Sequence, residues 1–240
     1  GRMSKNKWTY EHYRSLGKPV LIIDVGAIER EVTWKIAVNN ITSEGYYGHT
    51  DNLDWDRPKK LGVSLQKNKL NDSILIAAQH KKSLQWEGMP SLEDWTVDLI
   101  HKIRKYSDRH IVVRYHPRCP FFIPSQRFKM LEMNKVISNC VLEFPRQIES
   151  TYDAFDINYS YHAVVNHCSG PGINAVIAGS NVIVDEKSLA YPMSIKLKQI
   201  EKPPRKKNKE KWLVEISHTE YTVDEISEGL WLTRLKNALE

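Results

Sequence analysis

The feature that most restricts the fold is a strand–helix–strand pattern that begins at Ser73. Ile74 to Ala78 and Ile111 to Val113 are short apolar runs, typical of buried strands. Between them Ser91 and Asp94 are spaced to cap a helix. The apolar face of that helix comprises Leu92, Trp95, Leu99, Ile100 and Ile103. This pattern is the βαβ unit of a parallel sheet.

The same alternation continues to the end of the chain. Further strands are predicted at Val141 to Phe144, Ala163 to Asn166 and Val182 to Asp185; helices are predicted at Gln126 to Met133, Ile173 to Ala178, Lys209 to Ser217 and Thr222 to Leu239. Thr222 is expected to cap the last helix, with Glu225 in the reciprocal position. We therefore predict an α/β domain over residues 66–240, a Rossmann-type doubly wound parallel sheet closed by C-terminal helices.

The first 65 residues are less regular. Val20 to Ile23 is an apolar run that ends at Asp24, which predicts a buried parallel strand with this acid at its carboxyl end. Thr33 to Ile41 fits a strand or a helix. Tyr46 to Pro58 is polar, aromatic and long, which is typical of a functional loop or a lid.

Composition limits the cellular setting. The chain has 240 residues, and its three cysteines, Cys119, Cys140 and Cys168, form no close pair, so we expect neither a disulfide framework nor a zinc knuckle but a reduced, cytosolic environment. Its apolar runs are too short to cross a bilayer, so no membrane partner is predicted. A net charge of +6 favours a polyanionic partner. The densest basic run, residues 205–211, fits either a solvated loop that enters a helix or a contact with a phosphate backbone.

Parallel α/β sheets bind ligands beyond the carboxyl ends of their strands. We therefore expect three loops to converge: Gln79 to Lys82, Arg114 to Arg118, and His167 to Gly172. Arg114, His116 and Arg118 alternate along an extended segment, so they are expected to face one diphosphate-sized anion. The alternative is that Arg114 pairs with a structural carboxylate and that His116 is a satisfied surface histidine.

The third loop, Asn166 to Gly172, joins a predicted strand to a helix. Its two glycines permit close backbone approach, and the free amides at a helix start suit a phosphate. A plain tight turn is the alternative. Cys168 lies beside His167, but adjacent residues at a strand end point apart, which disfavours a nucleophilic cysteine.

Three segments, taken in chain order, resemble the C-terminal half of GT-B glycosyltransferases. They are the loop that carries Gln79, the segment Arg114 to Arg118 and the segment His167 to Val184. Shorter motifs are similar to a group found in phages and in bacterial surface-polysaccharide clusters, which includes phage enzymes that glucosylate already glucosylated hydroxymethylcytosine in DNA. These motifs are Gly17 to Pro19, Asp24 to Gly26, Thr33 to Lys35, Asn39 to Ile41, Asp56 to Pro58 and Ser188 to Pro192.

The resemblance implies a GT-B-like transferase that takes a sugar from a nucleotide-diphosphate donor, UDP-glucose. Its donor site would comprise Gln79, Arg114, His116, Arg118, Ser169, Gly170, Gly172, Asn174 and Ser188, with Asn174 at the place of a ribose-binding acid. Asp24 is our candidate general base, and His49, Asp51 and Asp54 in the long loop are further candidates. The alternative is that Asp24 caps a neighbouring turn. We predict that metal is not essential.

The resemblance also implies an acceptor side and a partner. A complete two-domain enzyme of this kind is longer, so residues 1–65 would be an abbreviated acceptor-side part. The acceptor would be double-stranded modified DNA in the cytoplasm of an infected host, with a surface polysaccharide or lipopolysaccharide as the alternative. A non-catalytic nucleic-acid-binding module is a third possibility, disfavoured because Trp95, Trp212 and Trp231 fall at core-like helical positions.

Overall fold

A computed structural model of the chain describes residues 6–119, 131, 137–151 and 154–240. Its strands are β1 Leu21–Val25, β2 Thr33–Val38, β3 Asn71–Ala77, β4 Ile111–Arg114, β5 Cys140–Glu143, β6 Arg146–Gln147, β7 Phe155–Asp156, β8 Tyr161–Asn166, β9 Asn181–Ile183 and β10 Glu220–Thr222. Its α-helices are α1 Asn6–Ser15, α2 Arg57–Lys60, α3 Leu92–Arg104, α4 Gly170–Ile177, α5 Lys209–Ser217, α6 Val223–Ser227 and α7 Leu232–Leu235. The helix expected at residues 126–133 lies, except for residue 131, outside the described residues. Within the described part, no helix combines the length and the apolar character needed to cross a membrane.

A five-stranded parallel sheet forms the centre of the molecule, in the order β5-β4-β3-β8-β9. Its middle strands are apolar because both of their faces are buried; Ile74, Leu75 and Ile76 are fully buried in β3. Helix α3 packs on one face, and helices α4 and α5 pack on the other. The predicted doubly wound α/β sheet is therefore confirmed.

The order of the strands reverses at β3. The chain runs outward from β3 through β4 to β5, then returns to place β8 on the other side of β3 and continues to β9. The loops that follow β3 and β8 therefore leave the carboxyl ends of their strands in opposite directions. Such a switch point is where open α/β sheets bind their ligands.

Strand β1 is not part of this sheet, which corrects the prediction of a buried parallel strand ending at Asp24. It pairs antiparallel with β2, which in turn pairs with β10, in a separate three-stranded sheet. Only a short turn separates β1 from β2, and a parallel pair needs a crossover of a dozen or more residues. The apolar run therefore forms a hairpin, with Ile23 and Asp24 exposed.

The C-terminal segments belong to different parts of the molecule. Helix α5 closes the parallel sheet, with Trp212 buried against it. Strand β10 and the helices after it pack on the three-stranded sheet, in a small core that contains Tyr221 and Leu235. The predicted capping box of Thr222 and Glu225 is present at the start of α6. The end of the chain therefore completes the N-terminal part, whose boundary at residue 65 remains a prediction.

Candidate functional site

The three predicted loops meet at the switch point. His80 Nε2 donates to the Arg118 carbonyl at 3.2 Å, and the His80 and His116 rings lie edge to face with centroids 4.9 Å apart. The Gln79 side-chain oxygen accepts from the Cys168 amide at 3.2 Å. These contacts tie the loops that follow β3, β4 and β8 into one cleft.

The turn before α4 is held by side chains. Asn166 Oδ1 accepts from the Ser169 amide at 2.9 Å, and Asn166 Nδ2 donates to the Ala77 carbonyl at 2.7 Å. Gln79 is 3% exposed and, besides holding the Cys168 amide, donates to Ser83 Oγ at 2.8 Å. Gln79 therefore positions the turn from within the protein, which differs from the direct ligand contact that we expected.

The start of α4 offers few amides to an anion. Asn166 and Gln79 already occupy the Ser169 and Cys168 amides, and Pro171 has none. The Gly172 amide donates to the Ser169 carbonyl at 3.2 Å. Gly172 is needed for packing, because an added Cβ would lie 3.0 Å from Val184 Cγ1. We predicted that Ser169, Gly170 and Gly172 seat a phosphate. Of their three amides, the Gly170 amide at the edge of the cleft is the one that remains for an anion.

Arg114 faces inward, which corrects the expectation that it points at a bound anion. Its guanidinium forms a salt bridge with Glu143 Oε1 at 2.8 Å and donates to the Asn158 carbonyl at 2.9 Å. It also lies over the Tyr159 and Tyr161 rings. Because Arg114 is only 3% exposed and already has these partners, it stabilises the β4–β8 region and is not available to a diphosphate.

Replacing Arg114 with alanine is therefore expected to affect stability first. The change leaves Glu143 without its ion-pair partner and the Asn158 carbonyl without its donor, so the free energy of unfolding should fall by about 2 to 3 kcal/mol. Urea denaturation measures this loss. Arg118→Ala is the matched control, because Arg118 is exposed and should leave the urea midpoint nearly unchanged. Equal midpoint shifts in the two variants would contradict the assignment.

His116 is a neutral imidazole in the cleft. Burial, followed by the nearby His80, Arg30 and Arg118 side chains, lowers the pKa of His116 to about 3. Its Nδ1 accepts from the Arg118 amide at 3.1 Å, so the proton of the neutral ring is on Nε2. That Nε2–H makes no hydrogen bond with a described residue. The ring can therefore donate to a ligand oxygen without carrying a charge of its own.

The lowered pKa of His116 predicts acid sensitivity. The unfolded chain binds a proton at His116 below about pH 6.5, whereas the folded protein does so only near pH 3, so stability falls as the pH drops through this window. Between about pH 7 and pH 5 the wild type should lose roughly 2 kcal/mol more than a His116→Gln variant. Urea titrations at the two pH values measure this difference. Parallel losses in both proteins would contradict a neutral, buried His116.

The loop between β1 and β2 lies over the cleft and brings in Arg30. Arg30 is close enough to lower the pKa of His116 and of the buried Tyr159 hydroxyl, although burial keeps the Tyr159 pKa above its usual value. The loop packs on the start of α4, because an added Cβ on Gly170 would lie 3.2 Å from Ala27 Cβ. Arg30 thus joins His116 and Arg118 in the cleft, and we refer to these three residues as the cationic cluster. They come from two separate parts of the chain.

Glu220 holds this loop in place. It is fully buried, and its carboxylate accepts from the Ala27 amide at 2.7 Å, the Ile28 amide at 3.0 Å and the Thr33 hydroxyl at 2.7 Å. Gly26 lies beside this carboxylate, and any side chain there would collide with Thr33 and Glu220. The Asp24-Val25-Gly26 motif therefore has a structural basis in the close packing of the loop against Glu220.

The remaining predicted residues lie around the cleft in supporting positions. Asn174 is half-buried and shares a hydrogen bond with the Tyr159 hydroxyl. Ser188 is 1% exposed and its Oγ accepts from the Ala190 amide at 3.2 Å, so it shapes the turn after β9 and does not face a ligand. Burial raises the pKa of Cys168 to about 11, which keeps the thiol protonated. Asp24 is an exposed residue of β1, and its Oδ1 accepts from the Val25 amide at 2.9 Å.

Comparison with known proteins finds structural likeness at low sequence identity. No protein-family profile and no curated protein sequence matches the chain. Among solved structures, the chain is similar to KpsC of Thermosulfurimonas dismutans, a beta Kdo 2,7 transferase, with 13% identity and a TM-score of 0.44. The likeness covers 90% of this chain and 78% of that chain. At this TM-score we infer nothing about activity from it.

One further motif bears on the prediction that metal is not essential. The chain contains an Asp-x-Asp triplet, Asp54-Trp55-Asp56, a pattern that holds a divalent ion on the diphosphate in nucleotide-sugar enzymes of another fold. Here Asp54 pairs with Lys60 at 2.6 Å and its Oδ1 accepts from the Asp56 amide at 3.0 Å. Among the described residues, no group of three or more His, Cys, Asp or Glu side chains is arranged to hold a metal ion. That metal is not essential stays a prediction.

Sequence reasoning missed two important side chains of the site. Arg30 follows the end of β1, so inspecting every strand end, including that of β1, would have found it. Glu220 lies in a short segment between two predicted helices, and nothing local marks it as the acceptor for amides 193 and 192 residues away.

Proposed function

We propose that this chain is a glycosyltransferase that takes a sugar from a nucleoside-diphosphate donor. The observation that supports this is the cationic cluster at the switch point of the parallel sheet. Arg30 and Arg118 each carry a guanidinium, and His116 near both presents a neutral N–H. A diphosphate is the ligand that suits two guanidinium groups and a neutral donor at a strand edge.

The cluster also fits the demands of the reaction. When the sugar leaves, negative charge develops on the departing diphosphate, and preorganised donors at that place lower the barrier. Arg30 and Arg118 would supply positive charge there. His116 would donate a hydrogen bond without adding to the repulsion between the two cations, because it is uncharged at neutral pH.

Asp24 is our candidate for the acceptor side. Its carboxylate lies on the face of β1 beside the loop that carries Arg30, and Oδ2 has no hydrogen bond with a described residue. A carboxylate in that position would accept the proton of an attacking hydroxyl if the reaction inverts configuration. A retaining reaction would need no such base, so loss of transfer in Asp24→Asn would favour inversion.

For the acceptor we propose a hydroxyl of a surface polysaccharide, with modified DNA as the second candidate. The basic run is exposed at Arg205 and Lys207 and lines a groove together with Asn181, the first residue of β9. It therefore lies at the amino ends of the parallel strands, whereas the cationic cluster lies at their carboxyl ends. Duplex DNA bound along this run would be held away from the cleft, which weakens the DNA candidate.

Transfer of radiolabel tests the function and its acceptor together. Labelled UDP-glucose and other nucleotide sugars are offered with lipopolysaccharide, with glucosylated hydroxymethylcytosine DNA and with unmodified DNA, across a salt series. Label on lipopolysaccharide alone is the result we expect. Label on modified DNA, with an affinity that falls steeply with salt, would instead establish the DNA acceptor. No transfer to any acceptor from any donor would count against the proposed function.

A further inference from the structure

A second polar surface lies on the three-stranded sheet. Asp24, Lys35 and Glu220 are directly opposite one another in register across β1, β2 and β10, so their side chains share one face. This face turns toward the start of α4, since Glu220 holds the Ala27 amide and Ala27 lies against Gly170. We refer to Asp24, Lys35 and the neighbouring Tyr47 as the sheet face.

Lys35 is a largely buried residue on this face whose side chain has no hydrogen-bond partner within the described part of the chain. It is 8% exposed, yet it makes no hydrogen bond or ion pair there, although carboxylates flank it on both neighbouring strands. Its charge reaches the Cys168 thiol across the cleft, where it lowers the thiol pKa against the larger effect of burial. The ammonium nitrogen itself is not fully buried, so its three N–H donors are open to solvent or to a ligand.

The Tyr47 hydroxyl is an unpaired polar group close to the carboxylates of this face. Its oxygen is buried and has no hydrogen-bond partner among the described residues. Burial raises the pKa of Tyr47, and the Glu220 and Asp24 carboxylates raise it further, so the hydroxyl stays protonated and is close to both acids. Native proteins seldom leave a buried hydroxyl unpaired, and a ligand that accepts from Tyr47 would satisfy it.

The charges on the sheet face argue against an anionic ligand. Two carboxylates, Asp24 and Glu220, flank one ammonium, so an added negative charge would meet net repulsion. Glu220 is already saturated by two amides and a hydroxyl, which leaves Asp24 as the acceptor. The face therefore offers two donors and one acceptor in near charge balance, which matches neighbouring hydroxyls of a neutral sugar ring.

We propose that Asp24, Lys35 and Tyr47 form a subsite for a neutral sugar, separate from the cationic cluster. The proposal rests on the proposed function, and it makes these residues determinants of sugar specificity. The ends of β4 and β8 lie on either side of β3, roughly 10 Å apart at the usual strand spacing. A sugar bound on the sheet face is therefore either the sugar of the donor, beyond its diphosphate, or the sugar of the acceptor.

Tyr47→Phe tests the subsite with little risk to the fold, because it removes a buried hydroxyl that has no described partner. We expect a melting temperature equal to or above that of the wild type, together with sugar binding weakened about fivefold, the loss of one hydrogen bond. Calorimetry compares the affinities for UDP and UDP-glucose, which isolates the donor sugar. Chemical-shift titration with methyl glucoside, with UDP present, isolates the acceptor sugar. Lys35→Met should weaken sugar binding in the same measurement as Tyr47→Phe does, while Tyr46→Phe serves as the control and should leave sugar binding unchanged.

The outcomes separate this proposal from the function on which it rests. A loss confined to the UDP-glucose measurement assigns the sheet face to the donor sugar, and a loss confined to methyl glucoside assigns it to the acceptor. If UDP does not bind but methyl glucoside binds through Tyr47, the subsite stands and the proposed donor chemistry falls. Unchanged sugar binding in Tyr47→Phe, or tighter binding of glucuronate than of methyl glucoside, overturns the neutral-sugar subsite.

Discussion

Replacing Glu220 with alanine is expected to lower the free energy of unfolding by roughly 4 kcal/mol and to abolish nucleotide binding. The variant leaves two backbone amides and the Thr33 hydroxyl without their acceptor in a fully buried place, at a cost of about 1 to 3 kcal/mol each. Because the amides belong to Ala27 and Ile28, the loop that carries Arg30 would lose its anchor. Urea denaturation and calorimetry with UDP measure the two effects.

Two further variants make this test specific. Glu220→Gln keeps one oxygen acceptor but turns an amide N–H toward the backbone donors, so its loss of stability should be intermediate. Glu210→Ala removes an exposed carboxylate from α5 and should leave the urea midpoint unchanged. A Glu220→Ala protein that binds UDP like the wild type would show that the loop does not contribute to the donor site.

Replacing Arg30 or Arg118 with alanine is expected to reduce sugar transfer at least ~100-fold while the protein stays folded. Each change removes a charge-assisted contact to the diphosphate, and such contacts strengthen as charge develops on the leaving group. Lysine at either position should restore only part of the rate, because an ammonium cannot form the paired hydrogen bonds of a guanidinium. Initial rates at saturating acceptor measure the effect.

The matched control is Lys105→Ala, which removes the same charge from an exposed position just after α3, at the opposite end of the strands. It separates local contacts from the general effect of net charge on a basic protein. Wild-type rates in both arginine variants would end the diphosphate assignment. Equal losses in Lys105→Ala would point to long-range electrostatics instead.

The parallel sheet was predictable because its signals are local. Buried strands such as Ile74 to Ala77 are continuous apolar runs. The helix cap at Ser91, whose hydroxyl accepts from the Asp94 amide at 3.0 Å, depends on only two residues that are close in the sequence. The convergence of the three loops followed from the parallel topology alone. The same reasoning gave the wrong prediction for β1, a buried parallel strand, because a short apolar run does not reveal whether its partner is parallel or antiparallel.

The roles of individual site residues were harder to predict because they depend on distant partners. Arg114 and Arg118 look equivalent in the sequence, but Glu143 turns the first into a buried ion pair while the second stays exposed. Lys35 and Tyr47 carry no local signal either, since what distinguishes them is the burial of Lys35 between two acidic strands and the unpaired hydroxyl of Tyr47. A residue's type at a strand end therefore indicates where a site lies, and burial and pairing decide which residues can meet a ligand.

Calorimetry with UDP and a panel of UDP-sugars tests the central claim most directly, because it requires no knowledge of the acceptor. The wild type should bind UDP, the Arg30→Ala and Arg118→Ala variants should each bind it at least tenfold more weakly, and Lys105→Ala should bind it like the wild type. The Arg114→Ala protein, where it remains folded, should keep most of its affinity. A wild-type protein that binds no nucleotide, or one whose affinity depends on Arg114 and not on Arg30 or Arg118, would contradict a donor site at the cationic cluster.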